Sequence, residues 1–394
     1  MTAAKAAPPK TRNWSLRSRA VRGVLYQVFA LGLIGAAIWF LAHNTLINMR
    51  VRGIQSGFDF LTGPAGFDIG ELMIPYDSAD PYWKAFLVGI LNTLRVAIIG
   101  IVLATVLGTA LGVGRFSHNA LVRGLCYAYV EMFRNVPVLL HLLMWYLLLT
   151  SSLPGPGEAR SVFGLFFLSN GGLSYPVPVW GLGQGLAVTG VLGGALLGWL
   201  WARRARRLFD ESGKPRPVVL PALALMVAGA LAGWAVGGAP TDWNVPKAGE
   251  FAVDGGSSLT PEFLAVLLGL VLYTASYIAE VVRAGIASVP RGQTEASGAL
   301  GLSKGQQMRL VALPQAMRVI IPPMTNQFLN LTKNSSLAVA IGYPDVVSIS
   351  NTAINQTGRA IECITIIMAV YLCTSLGTSA LMNWYNRRAA IKER

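Results

Sequence analysis

Charged residues are scarce in this sequence: Asp, Glu, Lys and Arg together make up 13% of its 394 residues, whereas 53% are hydrophobic. A soluble protein of this size usually has about a quarter of its residues charged. The hydrophobic residues also lie in runs of roughly 20, which is the length that a helix needs to cross a bilayer. Together these features exclude an ordinary soluble fold.

Catalytic motifs are also missing. The three histidines, His43, His118 and His141, have no zinc-site spacing, and no G-x-S-x-G serine elbow occurs. The phosphate-binding loop G-x-x-x-x-G-K-[ST] is absent as well, because Gly213-Lys214 is followed by proline and lacks the first glycine. If ATP drives this protein, the ATP must therefore bind to another chain.

Neither the cysteines nor the net charge indicates a further site. Cys126, Cys363 and Cys373 lie in or next to apolar runs, and their odd number argues against a disulfide framework. The net charge of +14 could indicate a nucleic-acid partner, but basic and aromatic residues are not interleaved. The basic residues instead lie mostly in a few short segments and at the two ends, which is typical of a membrane protein.

Eight apolar runs can each cross a bilayer as a helix, because hydrocarbon forces backbone polar groups to pair within one segment. They lie at about 24–43, 86–113, 124–150, 182–201, 218–237, 262–284, 317–342 and 361–384. The first run follows a basic segment, as in a signal peptide, but no A-x-A-like cleavage site follows at 43–45. We therefore predict a retained first helix and an all-α polytopic membrane protein with eight transmembrane helices.

Lys and Arg in short loops predict the orientation, because the basic side of a membrane protein faces the cytoplasm. With eight spans, four basic segments fall on one side: 1–23, 202–217, 285–316 and 385–394. The opposite loops 44–84 and 238–261 contain fewer basic residues and more acidic ones. This distribution predicts a multi-pass protein of the bacterial inner membrane with both termini in the cytoplasm.

The cytoplasmic segment 291–314 has the pattern of two short helices. Gly301 suits the left-handed position that ends a first helix near Leu300. Ser303, with Gln306 three residues later, forms a capping-box pattern that begins a second helix. Pro314 predicts the end of this second helix near residue 312. The segment is therefore expected to form a compact helix–turn–helix on the cytoplasmic face.

The same segment resembles the EAA loop of ABC importer permeases, whose pattern is E-A-A, three residues, G, nine residues, I-x-L-P. Every interval matches, while Ser297 replaces the third-position alanine and Val311 replaces isoleucine. In that family the loop inserts into a cleft of a separate ATPase subunit. The resemblance implies that role for five residues here: Glu295, Ala296, Gly301, Leu313 and Pro314.

Two further stretches, 277–293 and 131–137, resemble polar-amino-acid permeases of the histidine/glutamine type, and so does the stretch 326–337. That family has a core of five spans, here 86–113, 124–150, 262–284, 317–342 and 361–384. Three helices are added to this core, at 24–43, 182–201 and 218–237. This extended layout resembles that of the Q-type permease of general L-amino-acid uptake systems in Gram-negative bacteria. The resemblance implies a permease subunit of an ATP-driven importer of L-amino acids.

The resemblance also implies a set of partners and a division of the chain. The partners would be a second permease, related but different, an ABC ATPase dimer that holds ATP and Mg²⁺, and a periplasmic amino-acid-binding protein. This chain itself would need no cofactor and would not be an enzyme. The division predicted from the spans is a basic tail 1–23, an extra helix 24–43, a periplasmic loop 44–84, core residues 85–150, an insertion 151–261 with two extra helices, core residues 262–384, and a tail 385–394.

Polar residues within the spans are candidates for a solute pathway, because such groups are costly in lipid and usually face a cavity or a partner. Asn326, Asn330 and Lys333 lie at i, i+4 and i+7 in the span 317–342, beyond a Pro322-Pro323 pair that predicts a bend or break. The sequence is compatible with two roles for these three residues, namely lining a solute pathway and forming hydrogen bonds between helices. Glu280 shares a helix face with Arg283. The sequence is compatible with two roles for this pair, namely lining the gate of the pathway and forming a structural ion pair.

Three other functions fit the sequence less well than the importer does. An ion-coupled secondary transporter should contain an inverted repeat and a buried carboxylate relay, and the sequence has neither. An intramembrane enzyme needs a nucleophile or a metal set, and an ABC exporter would lack the EAA-type loop. The ion-coupled amino-acid transporter is the main alternative, and uptake by the isolated chain without ATP would favour it.

Overall fold

The computed structural model describes residues 19–389 except 52, 54–55, 214–215 and 250–251, and these residues form mostly α-helix. The ends of the predicted basic tails, 1–18 and 390–394, lie outside the described residues. In chain order the helices are α1 (Arg19–Val51), α2 (Tyr82–Gly114), α3 (Ala120–Arg134), α4 (Val138–Ser152), α5 (Leu182–Ser212), α6 (Val219–Val236), α7 (Pro261–Ala287), α8 (Arg291–Ala299), α9 (Lys304–Gln306), α10 (Leu313–Asn334), α11 (Val346–Thr357) and α12 (Ala360–Ala389).

Six of these helices are long and apolar enough to cross a membrane, namely α1, α2, α5, α6, α7 and α12. Two bent pairs could each provide one more crossing. One pair is α3 with α4, and the other is the helical stretch Lys304–Ile341 with α11. If each pair is counted as one span, the described residues contain eight crossings, the number predicted from the apolar runs.

The prediction of one continuous span at 124–150 is wrong. The structure has two helices there, α3 and α4, whose axes differ by 102°. Pro137 lies at the break, where its missing N–H and the restricted backbone of the residue before it end a helix. His141 stabilises the corner, because its Nε2 lies 3.1 Å from the Phe133 carbonyl oxygen at the end of α3.

Of the bend or break that the sequence predicted at Pro322-Pro323, the break does not occur. Helix α10 continues through both prolines from Leu313 to Asn334. Proline is tolerated inside transmembrane helices when neighbouring helices hold the chain and satisfy the freed carbonyl groups. Helix α10 packs against both α7 and α12. The irregular part of this span comes later, as a 3-10 turn at Ser335–Ile341.

Helix α7 lies at the centre of the core and packs against α2, α3, α4 and α10. Small residues bring α2 and α7 close together. A Cβ atom on Gly108 would lie 2.7 Å from the Ile278 Cβ atom, and one on Gly112 would lie 2.7 Å from the Ala279 carbonyl oxygen. This G-x-x-x-G spacing allows the dispersion contacts on which helix association in a bilayer depends.

Short strands form between α4 and α5 and between α6 and α7. They are β1 (Arg160–Val162), β2 (Phe166–Ser169), β3 (Gly172–Tyr175), β4 (Val177–Pro178), β5 (Trp243–Asn244), β6 (Lys247–Ala248), β7 (Val253–Asp254) and β8 (Ser257–Leu259). All pair antiparallel, in the order β1-β2-β3-β8 and as the pairs β4-β5 and β6-β7. Strands of two to four residues are too short for a visible alternation in the sequence.

Helices α5 and α6 form a hairpin that packs on itself and makes at most marginal contacts with the core helices. The two backbones touch at glycines. A Cβ atom on Gly190 would lie 2.0 Å from the Gly229 carbonyl oxygen, and one on Gly233 would lie 2.1 Å from that of Leu186. Helix α1 likewise has almost all its described side chains exposed. The three helices that the resemblance set apart from the core therefore pack apart from it.

Candidate functional site

The segment 291–301 forms a helix that ends as the sequence predicted. Helix α8 ends at Ala299, and Gly301 has the left-handed backbone conformation, with φ +78°. The Gly301 N–H donates to the Gly298 carbonyl, and the Leu302 N–H donates to the Ser297 carbonyl. These two bonds define a Schellman motif, so the turn has one fixed geometry.

The capping box that the sequence predicted at Ser303 is confirmed. The Gln306 N–H donates to the Ser303 side chain over 3.4 Å, and the Ser303 N–H donates to Gln306 Oε1 over 2.9 Å. The Gln307 side chain donates to the Leu302 carbonyl over 2.8 Å. Side chains at the start of the second helical part therefore stabilise the turn between the two parts.

The predicted end of the second helix near residue 312 is wrong. Helix α9 passes into a π-helical turn at Gln307–Ala312, and α10 follows without interruption. Pro314 lies in the first turn of α10, where a missing N–H is tolerated, and the wider π-turn before it accommodates the ring. The Gln315 side chain also donates to Gln293 Oε1 of α8 over 3.4 Å. The segment 291–312 is thus joined rigidly to a transmembrane helix.

The residues that the resemblance assigns to ATPase contact are accessible. Glu295, Ala296, Gly301 and Leu313 are exposed, and Pro314 is half-buried. Ser297, which departs from the family pattern, is buried, and its hydroxyl donates to the Thr294 carbonyl over 2.8 Å. The residue that replaces alanine therefore faces the interior of the segment.

Three large apolar side chains on the same segment were not identified from the sequence. Leu300, Met308 and Leu310 are 82%, 46% and 61% exposed. Exposed apolar side chains grouped on a polar segment indicate a surface that a partner covers. Two sequence features could have predicted them. Leu300 lies beside the glycine that follows α8, and Met308 and Leu310 lie within an otherwise polar stretch. We refer to residues 291–313 as the docking segment.

Asn326, Asn330 and Lys333 lie together on one exposed face of α10, as their spacing predicted. Pro322 is exposed on the same face. In the part of the chain that the structure describes, no side chain bonds to the Lys333 amino group. A charged amino group inside a membrane span is costly in lipid and usually faces a partner or a wet cavity.

Glu280 forms an ion pair with two arginines. Its carboxylate accepts from Arg115 at the end of α2 over 2.6 Å and from Arg283 over 3.1 Å. Arg115 is only 12% exposed, and its guanidinium also lies over the Tyr127 ring. Of the two roles that the sequence left open for Glu280, the structure shows the ion pair, while lining of a pathway stays a prediction.

A buried ion pair also joins α2 to the loop that precedes it. Arg95 donates to Glu71, whose side chain is 5% exposed, and the guanidinium lies 4.2 Å from the centre of the Phe263 ring. The Thr260 N–H lies 3.4 Å from the other carboxylate oxygen of Glu71. The loop therefore supplies the charge that Arg95 needs within its span, a pairing that spacing alone could not predict.

The fold and the site together define a polytopic membrane protein in which a rigid docking segment continues into a transmembrane helix with an open polar face. Comparison with known proteins specifies the family. Residues 97–391 match the family model described as "Binding-protein-dependent transport system inner membrane component". The chain belongs to this family, which confirms the resemblance to importer permeases.

Two curated relatives cover almost the whole chain. The "General L-amino acid transport system permease protein AapQ" of Rhizobium johnstonii is 45% identical over 97% of this chain and 96% of its own length. The "Glutamate/glutamine/aspartate/asparagine transport system permease protein BztB" of Rhodobacter capsulatus is 38% identical over 95% of both chains. The extra helices are thus within the aligned length of both relatives.

Proposed function

We propose that this chain is the permease subunit of an ATP-driven importer, and that it forms part of the pathway through which L-amino acids cross the inner membrane. The family and the names of the two relatives support this class of substrate. One structural observation supports the mechanism most directly. The second part of the docking segment, residues 304–313, and the polar face of α10 belong to a single uninterrupted helical stretch, Lys304–Asn334.

That continuity suggests how energy would reach the pathway. A separate ATPase dimer, which holds ATP and Mg²⁺, would grip the exposed side chains of the docking segment on the cytoplasmic side. Closure of the dimer on ATP would pull the segment sideways, and α10 would move with it because the turn after α8 is held by hydrogen bonds and residues 304–334 form one helical stretch. Asn326, Asn330 and Lys333 would then change their exposure from one side of the membrane to the other. This chain would itself neither bind ATP nor catalyse a reaction.

The polar face of α10 also suggests the nature of the second permease. If two identical copies met at this face, their two Lys333 amino groups would approach each other without a counter-charge. Like charges in a medium of low dielectric repel strongly. A related but different permease, with an acidic or neutral group opposite Lys333, avoids that cost. A periplasmic amino-acid-binding protein would deliver the solute, and both termini would lie in the cytoplasm.

Reconstitution tests this function. Proteoliposomes that contain this chain, the second permease and the ATPase dimer are expected to accumulate labelled glutamate and glutamine only with ATP and the binding protein. Unlabelled L-amino acids should compete, and vesicles with ADP are the control. Uptake by this chain alone, driven by an ion gradient, would contradict the proposal and favour a secondary transporter.

Replacement of Lys333 tests the pathway assignment. In Lys333→Met the stem is kept and the charge is lost, so a solute carboxylate loses a charged hydrogen bond of about 1.5–3 kcal/mol. Uptake should fall about 10- to 100-fold, while ATP hydrolysis stimulated by the binding protein continues. Lys333→Arg should restore part of the uptake, and Lys247→Met, at an exposed position on β6, should not affect it. Equal loss of hydrolysis and uptake would indicate a structural role instead.

A further inference from the structure

The α5–α6 hairpin has a cluster of arginines that neither the core nor the docking segment uses. Four arginines lie within five residues of α5: Arg203, Arg204, Arg206 and Arg207. All four are exposed. None of the ion pairs between described residues includes any of them. This end of the hairpin therefore has four arginines that form no ion pair with another described residue, and only Asp210 and Glu211 add negative charge farther along α5.

The cluster lies at the depth of lipid headgroups. Arg203 is 21 residues after Leu182, the first residue of α5, which corresponds to about 32 Å along the helix. The hydrocarbon core of a bilayer is about 30 Å thick, so the arginines emerge where the headgroups begin. Two tryptophans mark the same level. The Arg203 guanidinium lies 3.4 Å from the centre of the Trp199 ring, and the Trp201 N–H donates to the Pro217 carbonyl over 3.1 Å.

Three of the arginines share a groove of about 490 Å³ on one face of α5. Its lining consists of Leu200, Arg203, Arg204, Arg207, Leu208 and Glu211. Along the helix, Leu200 precedes the three arginines and Leu208 follows them. Three positive charges oppose the single carboxylate of Glu211. The groove thus combines two apolar side chains with an excess of positive charge, the complement of an anionic amphiphile.

We propose that this groove binds the phosphate headgroup of an anionic phospholipid such as phosphatidylglycerol. A guanidinium group can donate two parallel hydrogen bonds to a phosphate, and the glycerol backbone and first acyl carbons would lie against Leu200. The depth and the charge favour a lipid over a soluble phosphate, and the two leucines in the lining favour it further. The inference goes beyond the transport function: the hairpin holds the permease against anionic lipid.

Lipid selectivity of the full chain tests this site. The protein is reconstituted in phosphatidylethanolamine vesicles, and association with spin-labelled phosphatidylglycerol is compared with that of spin-labelled phosphatidylethanolamine. The wild type should prefer phosphatidylglycerol, and R203Q/R204Q/R207Q should lower that preference about fivefold or more. The control R160Q/K247Q removes two exposed positive charges from strands β1 and β6 and should leave the preference unchanged.

Three outcomes would overturn the proposal. They are an unchanged preference in the glutamine variant, an equal association of both lipids with the wild type, and displacement of the labelled lipid by inorganic phosphate, which would indicate a soluble anion. R203K/R204K/R207K keeps the charge but loses the paired donors of arginine. It should retain an intermediate preference, and it provides the same test if the glutamine variant does not fold.

Discussion

Replacement of Glu295 by alanine is expected to abolish ATP-driven uptake while the chain still folds and inserts. The side chain is exposed, and no other described side chain bonds to it. Loss of an exposed side chain of this kind usually changes the free energy of unfolding by no more than about 0.5 kcal/mol. The large effect should therefore arise only when the docking segment meets the ATPase. Glu295→Ala should lower both uptake and co-purification of the ATPase by at least about tenfold.

Two comparisons make this test sharp. Glu158→Ala removes an equally exposed glutamate near β1, so its uptake should match the wild type. Gly301→Ala changes the docking segment in a different way. A Cβ atom at this glycine would meet nothing within 4 Å, so the cost is the left-handed backbone, about 1–2 kcal/mol for a residue with a Cβ. That strain should turn α8 away and reduce uptake. Normal uptake by both Glu295→Ala and Gly301→Ala would refute the coupling role.

Removal of the Glu280 carboxylate is expected to destabilise the fold itself. In Glu280→Ala the Arg115 guanidinium, only 12% exposed, loses its sole carboxylate among the described residues, at the junction of α2 and α7. Breaking a fully buried ion pair on one side typically costs about 3–5 kcal/mol, because an uncompensated charge remains, and the 28% exposure of Glu280 should place the cost here at the lower end of that range. A cost of this size should lower the thermal unfolding midpoint in detergent by many degrees, with loss of the monodisperse peak in size-exclusion chromatography.

A double variant separates the charge effect from lost packing. R115M/E280L replaces both charges with apolar groups of similar size, so most of the stability should return. Glu131→Ala is the matched control, because Glu131 accepts one hydrogen bond, from Asn135, and has no arginine partner among the residues that the structure describes. An unfolding midpoint for Glu280→Ala equal to that of the wild type would show that the ion pair does not hold α2 to α7.

Most of the transmembrane layout was predictable, because bilayer hydrocarbon imposes one local rule on every span. Runs of apolar residues predicted α2, α6 and α7 to within a few residues of their observed ends. Local capping chemistry was equally predictable. The turn at Gly301 and the capping box at Ser303 depend only on neighbouring residues, so their sequence pattern was sufficient.

The errors share a physical cause. Proline has opposite effects at Pro137, where the chain turns by 102°, and at Pro322-Pro323, where α10 continues. The ring is the same in both cases. At Pro322-Pro323 the helix stays continuous while it packs against α7 and α12. Pro314 follows a π-turn that makes room for it. Whether a proline ends a helix is therefore decided by packing, which a pattern along the chain does not contain.

The features of the candidate site also fall into two groups, those set by the sequence and those set by the tertiary structure. The sequence by itself determined the spans, the basic segments, the docking segment and the spacing of the α10 stripe, because these depend on composition and on helical period. Only the tertiary structure decided that the docking segment continues into α10, that Glu280 is paired with Arg115 and that Glu71 neutralises Arg95. Those pairings join residues that are 24 and 165 positions apart, and a contact over such a distance exists only after the helices have packed.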